Sequence, residues 1–392
     1  MSILKDEAKK HLTEVIIPFW MSLRDREHGG YYSYVDNDLN IDKKAFKGCI
    51  LNSRIMWFFS NAYMLLKDEK LLDEARNAFR FFKSYCYDRE NGGVYWSVEY
   101  NGKIKEDVKY TYNQAFAIYA LSSYYAASKN EEALKLAEEI YEVIENKCCD
   151  DKGYLEAGNR EFRPVSNEEL SENGVIASRT MNTLLHVMEA YTELYRVTGL
   201  LSVRKSLERI IGIFTDHIYN PEHHRQEVFF DDEYRPIIDL HSYGHDIETA
   251  WLMDRTIEIL GDEGLKQKIF PITKDLTETI FKTAFDGRSL ANECENGKVD
   301  ETRIWWVQAE AVIGFLNGYE KDHSKKEYLD AALGEWDFIM NNIVDQREGS
   351  EWLREVGPDG KPLQKSPIVE PWKCPYHNGR MCMEIIKRNT DS

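Results

Sequence analysis

Apolar residues recur along the chain with helical spacing, in two alternating styles. Leu4, Ala8, Leu12, Val15 and Phe19 fall on one face, as do Leu71, Leu72, Ala75, Ala78, Phe79 and Phe82, and again Leu134, Ala137, Ile140, Tyr141 and Ile144. Stripes of this kind predict outer helices with one side in water. Segments near residues 49–66, 112–128, 178–198, 244–260, 303–319 and 376–388 are instead apolar or small almost all round, which predicts inner helices buried on most sides.

Between the two kinds lies a recurring turn phrase. Asp25-Arg26-Glu27-His28-Gly29-Gly30-Tyr31-Tyr32 returns 63 residues later as Asp88-Arg89-Glu90-Asn91-Gly92-Gly93-Val94-Tyr95. Turn formers ahead of an aromatic residue suit a tight turn entering a short strand. Weaker echoes stand at Asp150-Asp151-Lys152-Gly153-Tyr154, Asp286-Gly287 and Asp345-Gln346-Arg347-Glu348-Gly349-Ser350-Glu351-Trp352. The 320 residues from Asp25 to Asp345 make five steps of about 64 if a weak fourth element lies between Asp216 and Asp232. Six outer-then-inner pairs predict an all-α fold, an (α/α)6 barrel of six inner and six outer helices with short β-hairpins and loops at its ends. No Pro/Gly/Ser-rich linker interrupts it, so residues 1–392 are expected to form one catalytic domain. An open helical solenoid is the alternative; six units whose chain ends can meet favour closure.

Composition narrows the function. The 392 residues carry 50 Lys plus Arg against 68 Asp plus Glu, a formal charge of −18, which argues against a nucleic-acid partner. No apolar run is long enough for a membrane span. Seven cysteines, an odd number without a Cys-x-x-Cys, suggest neither a disulfide framework nor a zinc ribbon, and Met1 to Lys10 lacks the layout of a signal peptide. A reducing cytoplasm is therefore expected, and a monomer suits a closed barrel.

Chemistry-bearing residues collect where the inner helices begin: Asn52, Ser53 and Arg54; Tyr112, Asn113 and Gln114; Asn182 and His186; His245, Asp246 and Glu248; Trp305, Trp306 and Glu310; Tyr376, His377, Asn378 and Arg380. If these helices enter the barrel from one end, the six sets converge on one funnel, as in a small-molecule site. Helix capping explains Asn52 or Asn182 alone, but not an Arg, three His and two Glu over five helices. His186, His245 and His377 are each the odd polar residue near a buried helix start, whereas His11, His28, His217, His223, His224 and His323 read as surface residues. His241 and His245 have the four-residue spacing of a metal pair, yet the Gly between them and the lack of a further ligand complete no zinc motif. Trp305, Trp306, Trp372, Tyr112 and Tyr243 offer flat faces beside Asn, Arg and Glu, a combination suited to sugar rings.

These residues carry a family resemblance. Asn52-Ser53-Arg54, Met181-Asn182-Thr183-Leu184-Leu185-His186, Ser242-Tyr243-Gly244-His245-Asp246-Ile247-Glu248, Trp305-Trp306-Val307-Gln308-Ala309-Glu310 and Trp372-Lys373-Cys374-Pro375-Tyr376-His377-Asn378-Gly379-Arg380-Met381 resemble the motifs of the cellobiose 2-epimerases, a branch of the N-acylglucosamine 2-epimerase superfamily. The last stretch is the most specific, and the likeness runs from about Phe19 to Lys387. It implies an (α/α)6 barrel that inverts C2 of the reducing-end sugar of a β-1,4-linked disaccharide such as cellobiose or lactose. Such a reaction opens the ring, removes the C2 proton to give a cis-enediolate, and returns a proton from the opposite face. Imidazoles titrating near 6.5 can serve on both faces, and His245 and His377 are the expected pair. By resemblance Arg54 stabilises the enediolate oxygen and His186 bonds the reacting end or assists ring opening. Glu248, one turn from His245, is expected to orient it or hold a hydroxyl; Glu310 is a weaker candidate, and Tyr112, Asn182, Trp306 and Trp372 position the sugars. No metal or other cofactor is called for, and no Gly-rich phosphate loop is present.

Two rivals remain at this level. A glycoside hydrolase would use two carboxylates such as Asp246 and Glu310. A non-catalytic sugar-binding protein would need the aromatics but no acid/base pair.

Overall fold

The computed structural model describes residues 2–168, 170 and 173–388. Among these, twelve helices alternate between an outer and an inner layer. The outer helices are α1 (2–22), α3 (69–86), α5 (Glu131–Lys147), α7 (201–218), α9 (Glu263–Thr283) and α11 (326–343). The inner ones are α2 (Cys49–Leu66), α4 (Thr111–Ser128), α6 (Met181–Thr198), α8 (Tyr243–Leu260), α10 (Trp305–Lys321) and α12 (His377–Lys387). Burial separates the layers as the patterning predicts. Helix α4 is buried without a break from Thr111 to Tyr124, whereas α5 buries only the stripe Ala133, Leu136, Ala137, Ile140, Tyr141 and Ile144. Two predicted inner boundaries shift: residues before Met181 and before Trp305 are short strands, because Arg179-Thr180 pairs with Phe229-Phe230 and Arg303-Ile304 with Glu355-Val356.

The two ends of the barrel differ. Inner helices α2, α4, α6 and α8 end on a left-handed residue, Lys67, Lys129, Gly199 and Gly261, whose N–H closes the last turn and reverses the chain into the next outer helix within two residues. At the opposite end the outer-to-inner connections are long and carry the small antiparallel strands, which leaves room there for a funnel.

The repeated turn has one construction in five of the six units. Asp25 Oδ1 accepts from the N–H groups of Glu27 and His28, and the same bonds recur at Asp88, Asp150 and Asp286. The fourth element is Asn220, whose Oδ1 accepts from Glu222 and His223, inside the interval where the spacing places it. Beneath four of these turns a buried cation bonds the Asp: Lys47 to Asp25 (2.6 Å), Lys109 to Asp88 (3.1 Å), Arg179 to Asp150 (2.5 Å) and Arg303 to Asp286 (2.7 Å). Five residues after Lys47, Lys109 and Arg303, and after His241 at the matching place in the fourth unit, an inner-helix side chain anchors the incoming strand: Asn52 accepts Tyr31 N–H, Gln114 accepts Val94 N–H, Gln308 accepts Leu290 N–H and Asp246 accepts Gln226 N–H. Gly30 lies at φ +66°, and a Cβ there would stand 2.7 Å from Asn52 Oδ1, so both the turn and the close approach require glycine.

Closure joins the chain ends. Trp20 and Trp352 donate their indole N–H groups to Glu351 (2.8 Å) and His11 (2.8 Å), and Trp336 donates to Glu7 (2.9 Å), so α1 is tied to the sixth unit. His11 is thus buried, not a surface residue as its position in an outer helix suggests. Among the described residues no helix is long and apolar enough to cross a membrane.

Candidate active site

All six inner helices bring side chains to the funnel floor. From α2, Arg54 donates to Tyr112 Oη of α4 (2.7 Å) and to the Trp372 carbonyl (3.3 Å), with its guanidinium 4.0 Å from the centre of the Phe116 ring. His186 of α6 meets Tyr112 edge-on at 5.0 Å. On the far side His245 of α8 packs on the Trp306 ring of α10 at 4.8 Å, and the same indole lies 5.4 Å from His377 of α12. Gly244 is required by this contact, since a Cβ there would come within 2.6 Å of the Trp306 ring. Trp372 stacks obliquely on Trp96 (5.1 Å) and lies 6.0 Å from Tyr112, extending an aromatic wall outward.

Each histidine is held through Nδ1, which leaves Nε2 as the nitrogen for chemistry. His377 Nδ1 bonds Glu310 Oε1 (2.8 Å), His186 Nδ1 bonds Glu189 Oε2 (3.0 Å) and His245 Nδ1 bonds Ser242 Oγ (2.7 Å). Carboxylate partners fix the Nδ1–H tautomer of the first two. Burial holds the rings neutral: His245 falls to about 3, with His186 adding to the shift, and His377 lies well below the usual imidazole range through burial and the nearby Arg380 and Arg54.

Under the histidines sits a buried ionic layer centred on Arg380. Its guanidinium donates to Glu189 (2.5 Å), Glu248 (2.5 Å) and Glu310 (2.8 Å). Burial and the neighbouring Glu310 push the Glu248 carboxyl well above its ordinary value, whereas Glu189, against the same burial, is drawn down to about 2 by Arg380 and His186. Glu248 is thus the member of the layer that burial and Glu310 push most strongly toward the neutral acid. Its Oε2 and the Asn182 Oδ1 are buried without a hydrogen-bond partner among the described residues, two polar atoms available to a ligand. Glu248, Glu310 and His377 also place three ligand atoms within 4.8 Å of one another. The Arg380 guanidinium already bonds both carboxylates, so this set has its cation and does not suit a metal ion.

The comparisons with known proteins show the family. The pattern described as N-acylglucosamine 2-epimerase (GlcNAc 2-epimerase) matches residues 19–378. The chain belongs to that family. A cellobiose 2-epimerase of Eubacterium cellulosolvens is 53% identical over 394 residues, 96% of this chain and 97% of its own, and one of Ruminococcus albus is 50% identical over 98% of this chain and 99% of its own. The crystal structure of a sugar epimerase from a ruminal bacterium superposes with a TM-score of 0.97 at 49% identity, covering 99% of this chain and all of that one. The chain is thus a carbohydrate epimerase built as an all-α barrel.

Within that family frame, the expected site residues fall into two groups. Arg54, Tyr112, His186, His245, Glu248, Trp306, Glu310, Trp372 and His377 are brought together around the funnel, and Asn182 lies one turn before His186. The orienting partner of His245, however, is Ser242: Glu248 bonds Arg380 instead, because its longer side chain reaches the buried guanidinium. Glu310, the weaker expectation, is the residue that orients His377. Asn52, Gln114 and Gln308 anchor strands, and Asn113 donates to the Tyr95 carbonyl, so these polar helix starts serve the scaffold. His241 does not pair with His245; its Nε2 bonds Asp246 (2.8 Å), at the position of the repeated cation. Glu189 was not singled out by sequence reasoning. A Glu three residues beyond His186 on a helix expected to be buried on most sides was the available clue.

Proposed function

We propose that the protein reversibly epimerises C2 of the reducing-end glucose of β-1,4-linked disaccharides, converting cellobiose to glucosyl-mannose and lactose to epilactose. The observation that carries this reading is the pair of neutral imidazoles, His245 and His377, on different helices and both against the Trp306 ring, each steered through Nδ1. The names of the relatives support the substrate class. The Glu248 carboxyl, whose proton affinity burial and Glu310 raise, and the His186 Nε2 assist ring opening. The neutral His377 then takes the C2 proton at Nε2, and the Glu310 carboxylate at Nδ1 stabilises the imidazolium. Negative charge develops on the enediolate beside Arg54. That charge raises the proton affinity of His245, the half-buried member of the pair, which takes up a solvent proton and delivers it to the opposite face. His377 returns its proton to solvent, so the balance closes, and the reverse reaction exchanges the two roles. The Trp372 and Trp96 faces carry the second sugar. No metal or other cofactor enters, the barrel is the whole catalytic unit as a monomer, and it works in the cytoplasm.

The hydrolase reading loses one of its carboxylates, since Asp246 is engaged by Gln226 and His241. Incubation with cellobiose in D2O tests the proposal: deuterated C2 in glucosyl-mannose is expected. Glucose release would mean a hydrolase, and unchanged sugar a binding protein.

A further inference from the structure

At the end of the barrel away from the funnel, a cavity of about 150 Å³ opens between α8, α9, α10 and α11. Its wall includes Asp254, a buried carboxylate whose Oδ1 accepts from Thr273 Oγ1 (2.7 Å) and whose Oδ2 accepts from Asn317 Nδ2 (2.6 Å). Phe270 and Tyr328 add aromatic faces. Tyr328 is only 3% exposed, yet its hydroxyl has no hydrogen-bond partner among the described residues. A buried donor left unmatched is costly, and in a lining residue it marks a place kept for a ligand or for water.

The charges at the mouth decide what kind of ligand fits. Lys274, Lys321 and Lys325 line the rim, but each has a carboxylate partner: Asp322 at 3.4 Å, Glu258, and Glu327 at 3.4 Å. Among the described lining residues no uncompensated cation is left to select an anion. What the wall offers is a carboxylate with spare acceptor positions, two threonines, an amide, a phenolic hydroxyl and aromatic faces, the set that binds neutral hydroxylated molecules. At about 30 Å³ of liquid volume per water the cavity has room for about five waters, the bulk of a small molecule of a few carbons.

We propose that this cavity is a second binding site, for a small neutral polyol of about four carbons. The ligand's hydroxyls donate to Asp254 and accept from Tyr328, while its carbon chain lies against Phe270. The site stands apart from the funnel and does not depend on how the funnel is read.

The probe is erythritol, which has no aldehyde and cannot be epimerised at C2. Its binding is titrated by saturation-transfer NMR on the wild type, on Tyr328→Phe and on Trp372→Ala as a funnel control. Saturable binding in the millimolar range is expected for the wild type and for Trp372→Ala. Tyr328→Phe, which only removes an unmatched buried hydroxyl and so keeps its fold, should bind about five-fold more weakly, the worth of one neutral hydrogen bond. No saturation up to 100 mM would mean that the cavity holds water only. Equal binding by Tyr328→Phe, or binding lost in Trp372→Ala, would equally overturn the proposal.

Discussion

Replacing Glu310 by Gln removes one charge and two lone-pair positions while keeping the shape, and the effect is set by the three donors around the carboxylate. Oε1 accepts from both His377 Nδ1 (2.8 Å) and Arg380 (2.8 Å), and Oε2 accepts from Trp251 Nε1 (2.9 Å). An amide cannot meet three donors with one oxygen. With its oxygen toward His377, the amide N–H faces the indole N–H and both donors go unmatched. Turned the other way, it satisfies Trp251 and donates to His377 Nδ1, leaving one opposition, against Arg380, which keeps its bonds to Glu189 and Glu248. The second orientation therefore wins, and it moves the imidazole proton to Nε2, where the base must have a lone pair.

A wrong-tautomer histidine costs roughly 10⁴ in rate where a carboxylate-to-amide change of this type is understood, whereas loss of charge assistance alone is worth about 1 to 2 kcal/mol, or roughly 10-fold. Glu310→Gln should thus lower kcat/KM for cellobiose by about 10³ to 10⁴, with a melting temperature near that of the wild type. The checks are initial rates of glucosyl-mannose formation and the ¹⁵N shifts of His377, which should report an Nε2–H ring. A folded variant that loses less than 10-fold, or keeps an Nδ1–H ring, would refute the argument.

Other consequences are open to measurement. Trp372→Ala should raise KM for cellobiose about 10-fold or more at nearly constant Tm, because the ring is half-buried and stacks on Trp96; unfolding without a kinetic defect would assign it to the core. With His245 held near 3 and His377 also depressed, the base forms persist as pH falls. So kcat/KM should fall from pH 7 to 5 by much less than the roughly 25-fold that an imidazole at 6.5 would lose. Exhaustive EDTA treatment should leave activity intact, since Arg380 already bonds Glu248 and Glu310; loss of activity restored by one metal would contradict this. Stability should respond to pH through His11, held near 4 by burial against an ordinary 6.5. Its folded pKa lies below the unfolded one, so this contribution is complete above 6.5 and is lost as pH falls toward 4. From pH 7 to 5 it amounts to about 2 kcal/mol, read as a denaturation midpoint shift that His11→Gln should abolish.

How much of this was legible in the sequence depends on the kind of interaction. Helix boundaries were readable because burial all round leaves a compositional trace, as in Thr111 to Tyr124. The fourth repeat was faint because Asn220 keeps the turn while losing the charge that the other phrases share. Identity of the site residues was readable, but not their partners: whether a Glu one turn from a His orients it depends on where a guanidinium lies, and Arg380 is 132 residues from Glu248. Spacing made His241 and His245 look like a pair, although a strand-to-helix junction separates them and sends their rings to Asp246 and Ser242.

The repeat itself explains why the funnel residues sit where they do. Counting from the buried residue under each turn, Lys47, Lys109, Arg179, His241, Arg303 and Lys373, the fifth position is Asn52, Gln114, Leu184, Asp246, Gln308 and Asn378. Its polar members bond the incoming strands or, for Asn378, Glu351. The seventh position is Arg54, Phe116, His186, Glu248, Glu310 and Arg380, a ring of side chains at one depth, and the third, a helical turn nearer the mouth on the same face, supplies Tyr112, Asn182, Trp306 and Tyr376. His245 and His377 share the fourth position, in the fourth and sixth units. Consecutive packing sets units four and six on either side of unit five, whose third-position Trp306 packs against both imidazoles. One scaffold position, filled by histidine in two alternate units, thus sets an imidazole in each neighbour of unit five, the arrangement on which the proposed two-base mechanism draws, and unit five itself contributes an indole to both.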